Sequence, residues 1–121
     1  MRELIKAFKV LSDETRLRAL NQVLERECCV CEIMQALNIS QSKASRDLTA
    51  LYDAGFLKMR KEGLWSYYSL DTEEMTEYHT GLVKVVKEAL KGNKIALQDK
   101  ERLKTAKRTG VSCTKCNLEV G

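Results

Sequence analysis

Ser40-Gln41-Ser42-Lys43-Ala44-Ser45-Arg46-Asp47-Leu48-Thr49-Ala50-Leu51-Tyr52-Asp53-Ala54-Gly55 is the clearest helical stretch of the chain. Ser40 is a good N-cap and Gly55 is well placed as a stop, so the spacing predicts a helix over about Gln41 to Ala54. At 100° per residue, Ala44, Leu48 and Leu51 share one face, and Ser42, Ser45, Arg46 and Thr49 lie nearly opposite. Just before it, Asn38-Ile39-Ser40 interrupts a shorter helix in which Val30, Ile33, Met34 and Leu37 recur at i, i+3, i+4 and i+7. A short helix, a tight turn and a second helix with a small-polar and Arg outer face form the helix-turn-helix pattern.

The period changes after Gly55. Phe56 to Lys61 and Leu64 to Leu70 alternate around Glu62-Gly63, which reads as a β-hairpin with a basic tip. Asp71, with Glu74 three residues on, is expected to cap a fifth helix. Met75, Tyr78, Leu82, Val85, Val86 and Ala89 make its expected apolar stripe. On the other side, Leu4, Ile5, Phe8 and Leu11 predict a first helix over residues 2–11. Ser12-Asp13-Glu14 supplies the start of a second helix, buried through Leu17, Leu20 and Leu24 and ending near Glu25–Glu27. The expected fold is mainly α with a β-hairpin wing, a winged helix-turn-helix.

Residues 1–90 read as a DNA-binding and dimerisation domain, and residues 91–121 as a basic tail carrying Cys113 and Cys116. Within the tail, residues 94–108 read either as a weakly amphipathic helix on Ile95, Leu97 and Leu103 or as disorder. The 121 residues carry a net charge of +4, but residues 1–90 hold 13 Lys/Arg against 14 Asp/Glu, and residues 91–110 hold 7 against 2. The basicity therefore sits in one segment, which disfavours a purely electrostatic nucleic-acid binder. No apolar run approaches the roughly 20 residues of a membrane span, and the N-terminus lacks an apolar signal region. The expected setting is the cytoplasm, with no membrane partner. No nucleophile–base set, acid pair or phosphate loop is present to suggest an enzyme.

A helix fits the major groove of DNA and its outward side chains can reach base edges. Arg46 is the candidate guanine donor. Gln41, Ser42, Lys43, Ser45 and Thr49 are candidates for bases or phosphates, and Ser40 with the helix N-terminus for a phosphate. Lys58, Arg60 and Lys61 would set the wing against the backbone. One recognition helix spans few base pairs, so a symmetric dimer is expected on double-stranded DNA. Leu4, Phe8, Leu82 and Val86, on the first helix and on the last one within residues 1–90, are the candidate dimer surface, with a place in the subunit's own core as the competing use.

Five cysteines fall in two tight groups, Cys28, Cys29 and Cys31, then Cys113 and Cys116. Clustered thiols of odd number, without a signal segment, point to metal or redox chemistry rather than a disulfide framework. Thiolates select soft or borderline ions such as As(III), Sb(III), Cd(II), Pb(II), Zn(II) or Cu(I). A helix N-terminus favours the thiolate form. Residues i and i+2 do not share a face of a regular helix, so Cys29 and Cys31 are expected to meet one ion only if the first turn opens. Cys113-x-x-Cys116 is a second chelate-spaced pair without a partner pair, which leaves open whether it completes the first site, binds a separate ion or is simply exposed. His79, the one histidine, reads as solvated or hydrogen-bonded within the fold.

Four stretches together carry a resemblance: Leu11-Ser12-Asp13-Glu14-Thr15-Arg16-Leu17-Arg18, Glu27-Cys28-Cys29-Val30-Cys31-Glu32-Ile33, Ser40 to Leu48, and Gly63-Leu64-Trp65-Ser66-Tyr67-Tyr68. Over about residues 2–90 the chain resembles the ArsR (arsenical-resistance repressor) family of winged-helix metalloregulators. The resemblance implies a homodimer that represses by binding an inverted-repeat operator and releases it when an inducer binds. The E-x-C-V-C-[DE] stretch is similar to that of the As(III)/Sb(III)-sensing and Cd(II)/Pb(II)-sensing branches, which implies a ligand role for Cys29 and Cys31. The arsenical branch often has a further cysteine where this chain has Met34, so a third ligand comes from elsewhere. Cys28 would give three local thiolates, suited to As(III) or Sb(III). Cys113 or Cys116 would raise the count to four, suited to Cd(II) or Zn(II) in a tetrahedral site. The primary expectation is an As(III)/Sb(III)-responsive repressor. The alternatives are a Cd(II)/Pb(II)-responsive one, a thiol-redox switch and, in a different class, a thiol metal-storage protein.

Overall fold

The computed structural model describes residues 1–107. Six helices and three short strands follow in the order α1 (Arg2–Leu11), α2 (Glu14–Val23), β1 (Cys28–Cys29), α3 (Val30–Leu37), α4 (Gln41–Asp53), β2 (Leu57–Glu62), β3 (Trp65–Leu70), α5 (Glu77–Leu90) and α6 (Lys94–Thr105). Several helix starts have a local cause. Asp13 caps α2, its carboxylate accepting from the Arg16 amide at 3.1 Å. Ser40 caps α4, its hydroxyl accepting from the Lys43 amide at 3.1 Å. Between α3 and α4 the chain reverses through Asn38, whose φ of 56° is left-handed, a conformation that asparagine tolerates.

α4 ends at Ala54, and Gly55 follows with φ +91°. A Cβ there would lie 3.0 Å from Nε2 of His79, so both the backbone and the neighbour call for glycine. His79 is buried. Its ring nitrogens lie 2.8 Å from the Ala54 carbonyl oxygen and 2.8 Å from the Thr76 hydroxyl, and its edge meets Phe56. It is therefore a satisfied structural histidine.

The sheet has the order β1-β3-β2, all antiparallel. β2 and β3 form the wing, in register from Leu57 opposite Leu70 to Glu62 opposite Trp65, which leaves Gly63-Leu64 as a two-residue turn. β1 adds a short third strand, Cys28 opposite Tyr68 and Cys29 opposite Tyr67. Leu20, Ile33, Leu37, Leu48, Leu51, Phe56 and Leu57 fill the centre of the core, where α2, α3 and α4 meet the base of the wing. The architecture is the winged helix-turn-helix that the sequence predicts, with α3 and α4 as the helix pair. No helix among the described residues is long and apolar enough to cross a membrane.

Four expectations change. α2 ends at Val23, earlier than the expected Glu25–Glu27. α5 begins at Glu77 behind Thr76, not at Asp71. Asp71 does accept from the Glu74 amide at 3.1 Å, but its own amide donates to the Phe56 carbonyl, which keeps it at the end of the sheet. On α5 the buried valines are Val83 and Val86, whereas Val85 is 61% exposed. Val86 thus faces the subunit's own core rather than the outer surface. Finally, α6 is a helix whose inward face is Ala96, Asp99 and Leu103, while Ile95 and Leu97 point outward. Leu103 belongs to the main core, so the packed unit continues past residue 90.

Candidate DNA-reading surface and thiol pocket

α4 turns Ala44, Asp47, Leu48 and Leu51 inward and leaves Ser42, Arg46 and Thr49 exposed, with Gln41 and Ser45 half-buried at the margin. Ser40 is exposed at its start. Lys43 is held within the subunit. Its Nζ lies 3.0 Å from Asp47 Oδ1, one turn on, and 3.5 Å from Asp13 Oδ2. Asp47, which sequence reasoning did not single out, is the hub. It is buried, and the Thr15 hydroxyl at the start of α2 lies 2.6 Å from its Oδ2 and 2.7 Å from Asp13 Oδ2. The Thr15 hydrogen bond, more than the nearby cations, holds the Asp13 carboxyl below its usual range, against a smaller opposing effect of burial. The start of α2 is thereby tied to the recognition helix. The Lys43/Asp47 i, i+4 spacing was the available signal for this pair.

On the wing, Lys58 and Lys61 are exposed. Arg60 is exposed too, yet its guanidinium is committed. Nε and Nη2 lie 2.8 Å from the two carboxylate oxygens of Glu27, and Nη1 lies 2.6 Å from Glu62. The Glu27 contact, then that of Glu62, raises its pKa above the usual guanidinium range. The sequence reads Arg60 as a contact to the DNA backbone; within the subunit it is paired with Glu27, next to β1, and with Glu62.

The three cysteines 28, 29 and 31 are buried and free of disulfides. They do not lie together. Successive strand residues point to opposite faces, so Cys28 enters the main core, its thiol donating to the Arg26 carbonyl at 3.3 Å. Cys29 faces the other way and joins Cys31 and Tyr67 in a small separate cluster, with Met34 and Trp65 packed against it. The chain is extended at Cys29 (φ −95°, ψ 169°), which is the N-cap of α3 rather than part of its first turn. Cys29 and Cys31 therefore belong to one buried cluster across a strand-to-helix junction.

Glu32 fixes that junction. Its Oε1 accepts from the Cys29 amide at 2.9 Å and its Oε2 meets Arg26 at 2.9 Å. The Cys31 carbonyl accepts from Gln35 Nε2 at 3.0 Å. Tyr67, itself buried in that cluster, stacks on Trp65 with ring centroids 5.6 Å apart. Two thiols at a helix N-terminus, enclosed by aromatic rings, suit a soft thiophilic ion. Among the described residues no group of three or more Cys, His, Asp or Glu side chains is assembled to hold a metal. Cys113 and Cys116 lie outside the described residues.

On the expected dimer face, Phe8 is 55% exposed with Ile5 beside it, and Leu4 and Leu82 are half-buried.

Residues 13–63 match the family model described as bacterial regulatory protein, arsR family. Over 67 residues the chain is 52% identical to the arsenic resistance transcriptional regulator ArsR2 of Pseudomonas putida, which covers 54% of this chain and 58% of that protein. It is 36% identical over 76 residues to the arsenical resistance operon repressor of Bacillus subtilis, covering 62% of this chain and 72% of that one. It is 42% identical over 76 residues to a cadmium resistance transcriptional regulatory protein CadC homolog of Staphylococcus aureus, covering 62% and 63%. The chain thus spans less than two thirds of the Pseudomonas and Staphylococcus relatives. Among solved structures, a homodimeric winged helix-turn-helix DNA-binding domain from Mycobacterium bovis superposes with a TM-score of 0.62 at 25% identity, over 77% of this chain and 82% of that one.

Proposed function

The chain belongs to the arsR family of bacterial regulatory proteins, and from that premise we propose that it is a cytoplasmic transcriptional repressor whose inducer is As(III) or Sb(III). As a homodimer it binds an inverted-repeat operator, and it lets go when Cys29 and Cys31 take the ion. The observation that carries this reading is the shared burial of Cys29 and Cys31 at the start of α3, the helix that leads through a three-residue turn into α4.

In this reading α4 enters the major groove with Arg46 toward a base edge and Ser42, Ser45 and Thr49 beside it. Ser40 and Gln41 meet a phosphate at the helix start, while Lys58 and Lys61 set the wing on the backbone. Lys43 acts through Asp47 to orient the helix. Leu4, Ile5, Phe8, Leu82 and Val85 supply the dimer surface. The ion supplies the affinity for two thiolates, and the residues do the rest. Cys29 moves with β1 and Cys31 with α3, so drawing their sulfurs together shifts the strand against the helix. Ile33 and Leu37 pass that shift to the packing under α4.

The third ligand is not Cys28 unless β1 turns over, because Cys28 points into the main core. Cys113 or Cys116 of the tail is the remaining thiol source, and it also serves the second reading, a Cd(II)/Pb(II)-responsive repressor. The similarity to a cadmium resistance regulator favours keeping that reading. Fluorescence anisotropy on a duplex from just upstream of the gene, titrated separately with As(III) and Cd(II), decides. Release at near-stoichiometric As(III) is expected. Release by Cd(II) alone moves the assignment to the second reading, and release by neither overturns both.

A further inference from the structure

We propose that Arg60 is the positioning residue that couples the thiol pocket to the wing, through a latch made with Glu27 and Tyr67. The proposal deepens the function just given and rests on it. Arg60 meets two neighbours of the buried thiol cluster, Glu27 and Tyr67. Its fork grips Glu27 with two bonds of 2.8 Å, and Glu27 is the residue immediately before β1. Its guanidinium carbon stands 4.4 Å from the centre of the Tyr67 ring, which is clustered with Cys29 and Cys31. Tyr67 is also the strand partner of both Arg60, across the wing, and Cys29, on β1.

One side chain therefore links the segment leading into Cys29, the ring over the two thiols and the β2 strand of the wing. Any movement that brings Cys29 toward Cys31 displaces β1 against β3 and carries Glu27 with it. A bidentate guanidinium–carboxylate pair is planar and tolerates little misalignment, so it resists that displacement or hands it to β2. An exposed pair of this kind adds little to folding stability, and its consequence is positional. With Glu27 and Glu62 both on its guanidinium, Arg60 is also a poor choice for a phosphate. Lys58 and Lys61 remain for that task.

The test compares wild type with Glu27→Gln and Arg60→Lys, measuring operator affinity with and without As(III), its salt dependence, and As(III) uptake by thiolate absorption. Arg60→Lys keeps a charge able to meet a phosphate but loses the fork and the stacking. The expected result is unchanged As(III) uptake and operator binding in both variants, with the As(III)-induced loss of operator affinity reduced by about tenfold. Wild-type coupling in both variants overturns the latch and leaves the functional reading standing. A salt slope lowered by about one in an added Arg60→Gln variant overturns it too, because Arg60 is then a phosphate contact. Wild type that takes up As(III) yet keeps its operator overturns the functional reading, and the latch with it.

Discussion

Arg18 on α2 and Asp99 on α6 meet fork to fork, Nε 2.9 Å from Oδ2 and Nη2 2.8 Å from Oδ1. Asp99 is fully buried, and Arg102 reaches the same carboxylate at 2.9 Å. Both guanidiniums donate again, Arg18 to the Leu37 carbonyl at 3.0 Å and Arg102 to the Ala36 carbonyl at 2.7 Å. These carbonyls end α3, where a helix has no partners of its own to offer. α6 thus braces the end of α3 from which the recognition helix departs. Donation to the Asp99 carboxylate is also the main reason the Arg18 pKa lies above its ordinary value.

Removing one member of such a buried pair strands the other. Asp99→Ala is therefore expected to cost about 3 kcal/mol in urea unfolding. A loss below about 1 kcal/mol would mean that the two arginines find water or other acceptors and that α6 is not a brace.

The Asp13–Thr15–Asp47 contacts predict a pH dependence. The folded-state pKa of Asp13 lies below its ordinary 3.8, chiefly through Thr15. A lowered carboxyl adds stability that is present above the unfolded value and is lost as pH falls through the folded one. Thr15→Val is expected to cost about 1 kcal/mol at pH 7, and less at pH 3. Urea midpoints at the two pH values check this; a gap that stays constant would exclude the Asp13 hydrogen bond as its source.

The separation of Cys28 from Cys29 and Cys31 predicts a split among single variants. Cys28→Ala is expected to respond to As(III) normally, with about 1 kcal/mol less stability from the lost packing. Cys29→Ser and Cys31→Ser are expected to bind operator and ignore As(III). Anisotropy titrations read both. A Cys28→Ala protein that binds operator but no longer responds would show that β1 rearranges to deliver a third local thiolate.

Arg46 is exposed on α4, whereas Lys43 is tied to Asp47. Arg46→Ala is expected to weaken operator binding by about 1–3 kcal/mol and to leave binding to a scrambled duplex almost unchanged. An equal loss on both duplexes would reassign Arg46 to the phosphate backbone.

Much of this protein is written in neighbours four residues apart or fewer. The apolar period over residues 2–11, the stripe of Val30, Ile33 and Leu37, the Ser40 cap and the Gly55 stop each depend on local geometry alone, and each predicted element is present. The hairpin and its Gly63 turn were readable for the same reason. Asp71 misled because a cap signal can be spent on a turn when the preceding strand holds the backbone.

Short-range pattern was therefore enough to specify the winged helix-turn-helix. Which side chains meet was set by the packing of the whole domain. Two adjacent cysteines were parted because β1 pairs with β3 and strand residues alternate sides. Arg60 pairs with a carboxylate 33 positions away, and the buried Asp99 pairs with an arginine 81 positions away. Period and capping are set by the backbone of a few consecutive residues, whereas the partner of a long charged side chain is set by whichever surfaces the packed core brings within about 3 Å of it.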